Sequence, residues 1–98
     1  MKAYELLSDK SKWCQKNVAV DARGVGVSVN SPDVVRWCLD GALLRCYGWN
    51  YHPEYTPACY LAVYRQVVDA LHCVVSAWND APGRTYAEVV GLLKRLDI

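Results

Sequence analysis

The sequence predicts a single small domain of the α+β class, dominated by helix, that spans residues 1–98. A chain of 98 residues suffices for one hydrophobic core and leaves no room for a second. Alternating valines in the segment 18–29 predict a β-hairpin, and apolar residues at helical spacing predict four helices. Since 53% of the residues are hydrophobic and 21% are charged, the composition is globular rather than disordered.

A short helix and the hairpin occupy the N-terminal third of the chain. The helix is predicted by apolar residues at helical spacing, namely Ala3, Leu6, Leu7 and Trp13. The two strands are predicted by alternating valines on either side of a turn-forming Asp21–Gly24 group, namely Val18, Val20, Val25, Val27 and Val29. Because an isolated hairpin is marginal in water, its valine face is expected to pack on the helices.

Two longer helices follow the hairpin. Ser31-Pro32-Asp33 is a typical helix start, so the second helix is predicted from Ser31 to about Tyr47. Gly41 inside this helix indicates that another element packs closely against it. Thr56-Pro57 repeats the start signal and predicts a long third helix whose apolar stripe reaches Trp78.

A turn separates the third helix from the fourth, and its residues form one candidate binding site: Trp78, Asn79, Asp80 and Arg84. Turn chemistry offers a structural alternative, which we favour. Asn79 would end the third helix in a left-handed conformation, Asp80 would form an Asx-turn, and Arg84 would pair with Asp80 or with a helix end. Thr85 and Glu88 then have capping-box spacing, which predicts the start of the last helix.

Charge and hydropathy exclude several classes of partner. The net charge is +1, with acidic and basic residues mixed along the chain, so no basic field for nucleic acid is predicted. No apolar run approaches the ~20 residues that span a bilayer. The N-terminal residues lack a signal-peptide pattern, so we predict a cytoplasmic protein without a membrane or cofactor partner. The five cysteines are odd in number and are expected to stay reduced.

Cys38 is the candidate nucleophile of a small cysteine-dependent hydrolase or transferase. A helix N-terminus can lower a thiol pKa, and His72 with Asp80 or Asn79 would complete the catalytic group. Against this, Cys38 would lie two turns inside the second helix, on its apolar stripe, where a thiol is inert. A metal site is not predicted, because no pair among Cys14, Cys38, His52 and His72 has ligand spacing.

The loop from Tyr47 to Thr56 is the other candidate binding site. It is crowded with side chains that often anchor protein interfaces: Trp49, Tyr51, His52 and Tyr55. Its glycine, asparagine and proline residues are typical of a loop. The same aromatic residues could equally fold back as a lid over the helices, and the sequence favours neither reading.

Three stretches together resemble an uncharacterised domain family, a domain of unknown function found in bacteria and their phages. They are Trp13-Cys14, the segment 34–43, which contains Trp-Cys-x-x-Gly-Ala-Leu, and the segment 77–89, which contains Trp-Asn-Asp-x-Pro-Gly-Arg-Thr. The resemblance covers most of the chain. It implies a small helical domain in a bacterial or phage cytoplasm, and it brings no activity and no catalytic residue.

We therefore expect a non-enzymatic interaction protein, such as a bacterial or phage accessory protein that modulates a host protein. Its contacts would come from the aromatic loop and the turn after Trp78. The partner would be another protein or, in a homodimer, a second copy of the chain. With four Trp and seven Tyr but no Phe, every aromatic ring has a polar group, as is common at interfaces.

Overall fold

The computed structural model describes residues 1–98. Its elements are α1 (Ala3–Leu6), β1 (Ala19–Val20), β2 (Arg36–Trp37), α2 (Leu39–Tyr47), α3 (Pro57–Leu71), α4 (Val75–Asn79) and α5 (Tyr86–Leu96), with a 3-10 turn at Lys10–Lys12. The predicted α+β class, dominated by helix, is confirmed. None of the helices combines the length and the apolar character needed to cross a membrane.

The hydrophobic core lies between the helices, with α2 in contact with α1, α3 and α4. Its buried members are Ala3, Leu7, Leu39, Ala42, Leu43, Cys46, Val63, Val67, Val75, Val89, Leu92, Leu93 and Ile98. The first helix is shorter than predicted and ends at Leu6, although Leu7 and Trp13 still pack on the core as their spacing indicates.

The strand pairing differs from the predicted hairpin. The turn at Asp21–Gly24 is present: the Asp21 carboxylate accepts hydrogen bonds from the amides of Arg23 and Val25, and Gly24 has a φ of 80°. However, β1 pairs with β2, so Ala19 lies opposite Trp37. The segment 25–29 adds only one bridge, between Val20 and Gly26, whose two hydrogen bonds run from the Val27 amide to the Ala19 carbonyl and from the Asp21 amide to the Val25 carbonyl. Its valines are therefore not a core face.

Helix α2 begins at Leu39, and the prediction of a start at Ser31 is wrong. Ser31 instead closes a local turn, in which its hydroxyl accepts a hydrogen bond from the Asp33 amide at 3.2 Å. The residues after this turn are extended, because the Val35 and Cys38 amides donate to carbonyls of the β1 segment at 2.9 and 3.0 Å. Cys38 is thus the residue that caps α2.

Gly41 has the close neighbour that the sequence indicates. A Cβ atom at this position would overlap the carbonyl oxygen of Val18, which belongs to the segment that leads into β1. Gly41 is buried in the first turn of α2. Because Gly41 has no side chain, the segment that leads into β1 packs directly on α2.

The predicted long third helix is two helices. Helix α3 ends at Leu71, and His72 caps it in the left-handed conformation with a φ of 56°. Helix α4 begins at Val75 and ends at Asn79, and both of these residues are fully buried. The break was not predicted, because no Gly or Asn marks it. His72 lies at this break and not within a helix.

The start of α5 is as predicted. Thr85 and Glu88 form a capping box: the Thr85 hydroxyl accepts from the Glu88 amide at 3.2 Å, and the Glu88 carboxylate accepts from the Thr85 amide at 3.0 Å. These two bonds satisfy amides that helix geometry leaves without partners.

Candidate functional site

Asn79 is the most enclosed polar residue of the candidate turn, and its whole amide is occupied by internal contacts. Its Oδ1 accepts hydrogen bonds from Trp13 Nε1 at 2.8 Å and from the Leu39 amide at 3.1 Å. Its Nδ2 donates to the carbonyl of Cys14 at 3.2 Å and to Asp80 Oδ1 at 2.9 Å. Asn79 therefore joins three parts of the chain and has no group left for a ligand.

The predicted backbone roles of Asn79 and Asp80 are wrong. Asn79 does not have a positive φ, and Asp80 caps α4 with a φ of −91°. Instead of forming an Asx-turn, the Asp80 carboxylate accepts a hydrogen bond from the Lys16 amide at 2.7 Å. Gln15 donates to the carbonyls of Asn79 and Ala81. The N-terminal segment, distant in sequence, thus replaces the local turn chemistry.

Arg84 and Trp78 pack against each other. Arg84 Nε donates to the Trp78 carbonyl at 2.9 Å, which confirms the prediction that Arg84 binds a helix end. Its guanidinium carbon lies 3.9 Å from the centre of the Trp78 ring, and its Nη1 is 2.8 Å from Glu88. The candidate turn is therefore a structural joint between α4 and α5.

Cys38 is not placed as a nucleophile. Its Sγ accepts a hydrogen bond from the Gly41 amide at 3.3 Å, and only 5% of the residue is exposed. Burial raises its pKa to about 11 in spite of that hydrogen bond, so the thiol is neutral at physiological pH. Asp80 lies near, beside a small cavity of about 80 Å³, but no histidine lines that cavity. His72 is exposed at the end of α3.

The cysteines and histidines do not converge on a common point. No group of three or more His, Cys, Asp or Glu side chains is close enough to hold a metal ion. All five cysteines are free thiols. Cys14 donates its S–H to the carbonyl of Asn17, and burial raises its pKa to about 12.

The aromatic loop combines the two readings that its sequence left open. Tyr51 is folded back, with its hydroxyl donating to the Val29 carbonyl and its ring 4.6 Å from the guanidinium carbon of Arg45. His52 and Tyr55 pack on each other, with ring centres 4.6 Å apart, and are half-buried. Trp49 is different, because 43% of it stays exposed. The loop is thus a lid from which one tryptophan projects.

Trp49 borders the cavity that we call the valine–tryptophan groove. The groove has a volume of about 360 Å³ and lies between the aromatic loop and the segment around 25–29. Its apolar lining consists of Val18, Val27, Val29, Leu44, Trp49 and Tyr51. The sequence identified Trp49 and Tyr51 as binding residues but assigned the valines to the core. The alternating pattern of the valines predicts that they lie on one face of the chain, but it does not predict whether that face is buried or lines a cavity.

A second cavity shares Val29, Asn30 and Tyr51 with this groove, and we call it the arginine compartment. Its volume is about 330 Å³, and its lining also includes Trp37 and Arg45. Arg45 is half-buried in the last turn of α2 and takes part in no ion pair. The sequence did not single out Arg45, because a lone arginine near a helix end resembles an ordinary favourable charge at the helix dipole.

Residues 1–96 match the model of a family of unknown function, DUF6197, and the chain belongs to that family. The resemblance inferred from the three sequence stretches is confirmed at this level. No curated protein matches the chain. No solved structure matches it either.

Proposed function

We propose that this protein is a non-enzymatic interaction module that binds a segment of another protein in the valine–tryptophan groove. The observation that carries the proposal is the position of Trp49, which is 43% exposed at the rim of an apolar cavity of about 360 Å³. Tryptophan and tyrosine dominate the binding energy of protein interfaces where they border well-packed pockets. The volume of the groove also lies in the range of roughly 300–1,000 Å³ that is usual for concave apolar small-molecule pockets.

The walls of the groove are held in place before any partner arrives. On one side, the Val27 amide donates to the Ala19 carbonyl at 3.0 Å. On the other side, the Gly48 amide donates to the Leu44 carbonyl at 2.8 Å and closes α2. The Tyr51 hydroxyl then connects the two sides through the Val29 carbonyl. A preformed site needs little ordering on binding, which favours affinity.

The setting that we propose is a bacterial or phage cytoplasm, where the protein modulates a host protein. The five free thiols support a reducing compartment. The balanced charge, +1 in total, supports a protein partner rather than nucleic acid. A second copy of the chain is the competing occupant of the groove, so the oligomeric state is part of the test.

A cysteine-dependent enzyme is not our proposal. Cys38 has its Sγ engaged by the Gly41 amide, a pKa raised to about 11 by burial, and no histidine in the adjoining cavity. A thiol nucleophile needs a lowered pKa or a neighbouring base. The contacts of Cys38 support a capping role for α2 instead.

The test compares three tagged proteins purified from bacterial lysate and weighed by native mass spectrometry: wild type, Trp49→Ala and Leu61→Ala. Leu61 is the matched control, because it is 50% exposed on α3 and lies away from the groove. We expect a stoichiometric protein with the wild type and Leu61→Ala and its loss from Trp49→Ala. A partner that Trp49→Ala retains, or a wild type that carries none, contradicts the proposal. A wild-type mass of two chains that falls to one in Trp49→Ala identifies the homodimer.

A further inference from the structure

We infer that the segment bound in the groove carries an aspartate or glutamate beside its apolar anchor, and that Arg45 binds this carboxylate. The inference rests on the proposed function and specifies its partner. It combines three observations: an unpaired guanidinium, a cavity lining that contains no acid, and the position of that cavity beside the valine–tryptophan groove.

Arg45 is a cation without an anion. Arg45 is half-buried, and its guanidinium carbon lies 4.6 Å from the centre of the Tyr51 ring, yet no carboxylate lies within ion-pair distance of it. By contrast, Arg84 also stacks on an aromatic ring and does bind a carboxylate, that of Glu88 at 2.8 Å. A stacked guanidinium keeps the donors at its edge free for a carboxylate, which it can bind through two parallel hydrogen bonds.

The arginine compartment has a single formal charge in its lining, which is positive. Arg45 is the only charged residue in its lining, and the lining of the adjoining groove contains no charged residue at all. Because a half-buried arginine without an ion-pair partner favours a nearby anion, the compartment is complementary to a carboxylate.

The shared wall fixes the spacing of the partner's side chains. Val29 and Tyr51 line both cavities, so a segment that places an apolar side chain in one and a carboxylate in the other passes over these two residues. Alternate residues of an extended segment point to the same face and are about 6–7 Å apart, which is the scale of one aromatic ring. We therefore expect the pattern large apolar residue, any residue, Asp or Glu, read in either chain direction.

The carboxylate is assigned to a side chain rather than to the end of a polypeptide. Sites that capture a terminal carboxylate generally use an array of backbone amides. Here the charged donor is one arginine side chain, which suits an internal Asp or Glu. Peptides with free and with amidated C-termini separate the two sources.

The experiment selects random peptides of roughly twelve residues on immobilised wild-type protein and on four variants, from one library whose C-termini are joined to a carrier and from a second whose C-termini are free. These are Arg45→Glu, Arg45→Gln, Trp49→Ala and the control Arg65→Glu, whose arginine is exposed on α3 and lines none of the cavities. The enriched peptides are then synthesised both as amides and with free C-termini, and their affinities are measured by fluorescence anisotropy. Circular dichroism establishes that each variant is folded.

We expect wild type and Arg65→Glu to enrich an apolar residue two positions from Asp or Glu. Arg45→Gln should weaken binding of that peptide at least tenfold, which is about 1.4 kcal/mol, and Arg45→Glu should weaken it further. Peptides that need Trp49 but show no acidic preference overturn this inference and leave the proposed function standing. Peptides that bind only with a free C-terminal carboxylate overturn the side-chain assignment. If no peptide distinguishes the wild type from Trp49→Ala, the proposed function fails and the inference fails with it.

Discussion

The side chain of Asn79 accepts a hydrogen bond from the amide of Leu39 at 3.1 Å, across 40 residues of sequence. Leu39 is the first residue of α2, whose amides need partners that the helix itself does not supply. The same oxygen accepts from Trp13 Nε1 at 2.8 Å. One buried amide thus connects the N-terminal segment, the start of α2 and the end of α4.

Replacing Asn79 by alanine is expected to destabilise the protein by about 2–4 kcal/mol, because several buried donors and acceptors lose their partner together. Urea unfolding followed by circular dichroism measures the difference. Gln66→Ala serves as the control, since Gln66 carries the same kind of amide exposed on α3. Equal unfolding free energies for the two variants would show that the Asn79 contacts contribute nothing.

The two glycines of α2 and α5 should respond in opposite directions to alanine. At Gly41 the added methyl overlaps the Val18 carbonyl, so Gly41→Ala should lose about 1–3 kcal/mol of stability. At Gly91 the methyl meets nothing within 4 Å, and an exposed helical Gly→Ala change should gain roughly 0.5–1 kcal/mol. Thermal unfolding of both variants tests the pair. A Gly41→Ala protein as stable as wild type would refute the close packing of β1 on α2.

Thiol reactivity should follow exposure rather than position at a helix N-terminus. Cys73 is exposed, whereas Cys38 and Cys46 are buried and have pKa values raised to about 11. Since only the thiolate reacts, iodoacetamide at neutral pH should modify Cys73 first and Cys38 only as the protein opens. Mass spectrometry of digested samples at successive times gives the rates. Labelling of Cys38 as fast as that of Cys73 would revive the enzyme hypothesis.

The capping box of α5 should make part of the unfolding free energy depend on pH. Hydrogen bonds from Thr85 lower the pKa of Glu88 below its ordinary value of 4.5, so this carboxylate stabilises the fold when it is ionised. The contribution is present above pH 4.5 and is lost as the pH falls through the lower folded pKa. Glu88→Gln keeps a capping side chain without a titrating group. Its unfolding free energy should fall less than that of the wild type on acidification, and identical acid profiles would contradict this role.

The features predicted correctly from the sequence depend on neighbours in the chain. Thr85 and Glu88 form both capping-box hydrogen bonds within one helical turn. A glycine inside a helix, such as Gly41, indicates close packing whichever element packs against it. The start of α2 was predicted wrongly at Ser31, because a cap signal there is satisfied by an isolated turn. What decides that region is the pairing of β2 with β1, a contact between distant residues that no local pattern contains.

The candidate site was predictable only in part, for the same reason. The aromatic content of the loop identified Trp49 and Tyr51, which line the groove. The turn after Trp78 drew attention by its polar residues, but contacts with Gln15 and Lys16 occupy it. Arg45 and Val27 are candidate site residues because they line cavities, and those cavities form only when the chain folds.

The affinity of the purified partner for wild type, Trp49→Ala and Leu61→Ala, measured by isothermal titration calorimetry, tests the central claim most directly. Because a tryptophan that anchors an interface typically contributes about 2 kcal/mol or more, Trp49→Ala should weaken binding by roughly thirtyfold, while Leu61→Ala leaves it unchanged. If a folded Trp49→Ala protein binds the partner as tightly as the wild type does, the groove is not the binding site.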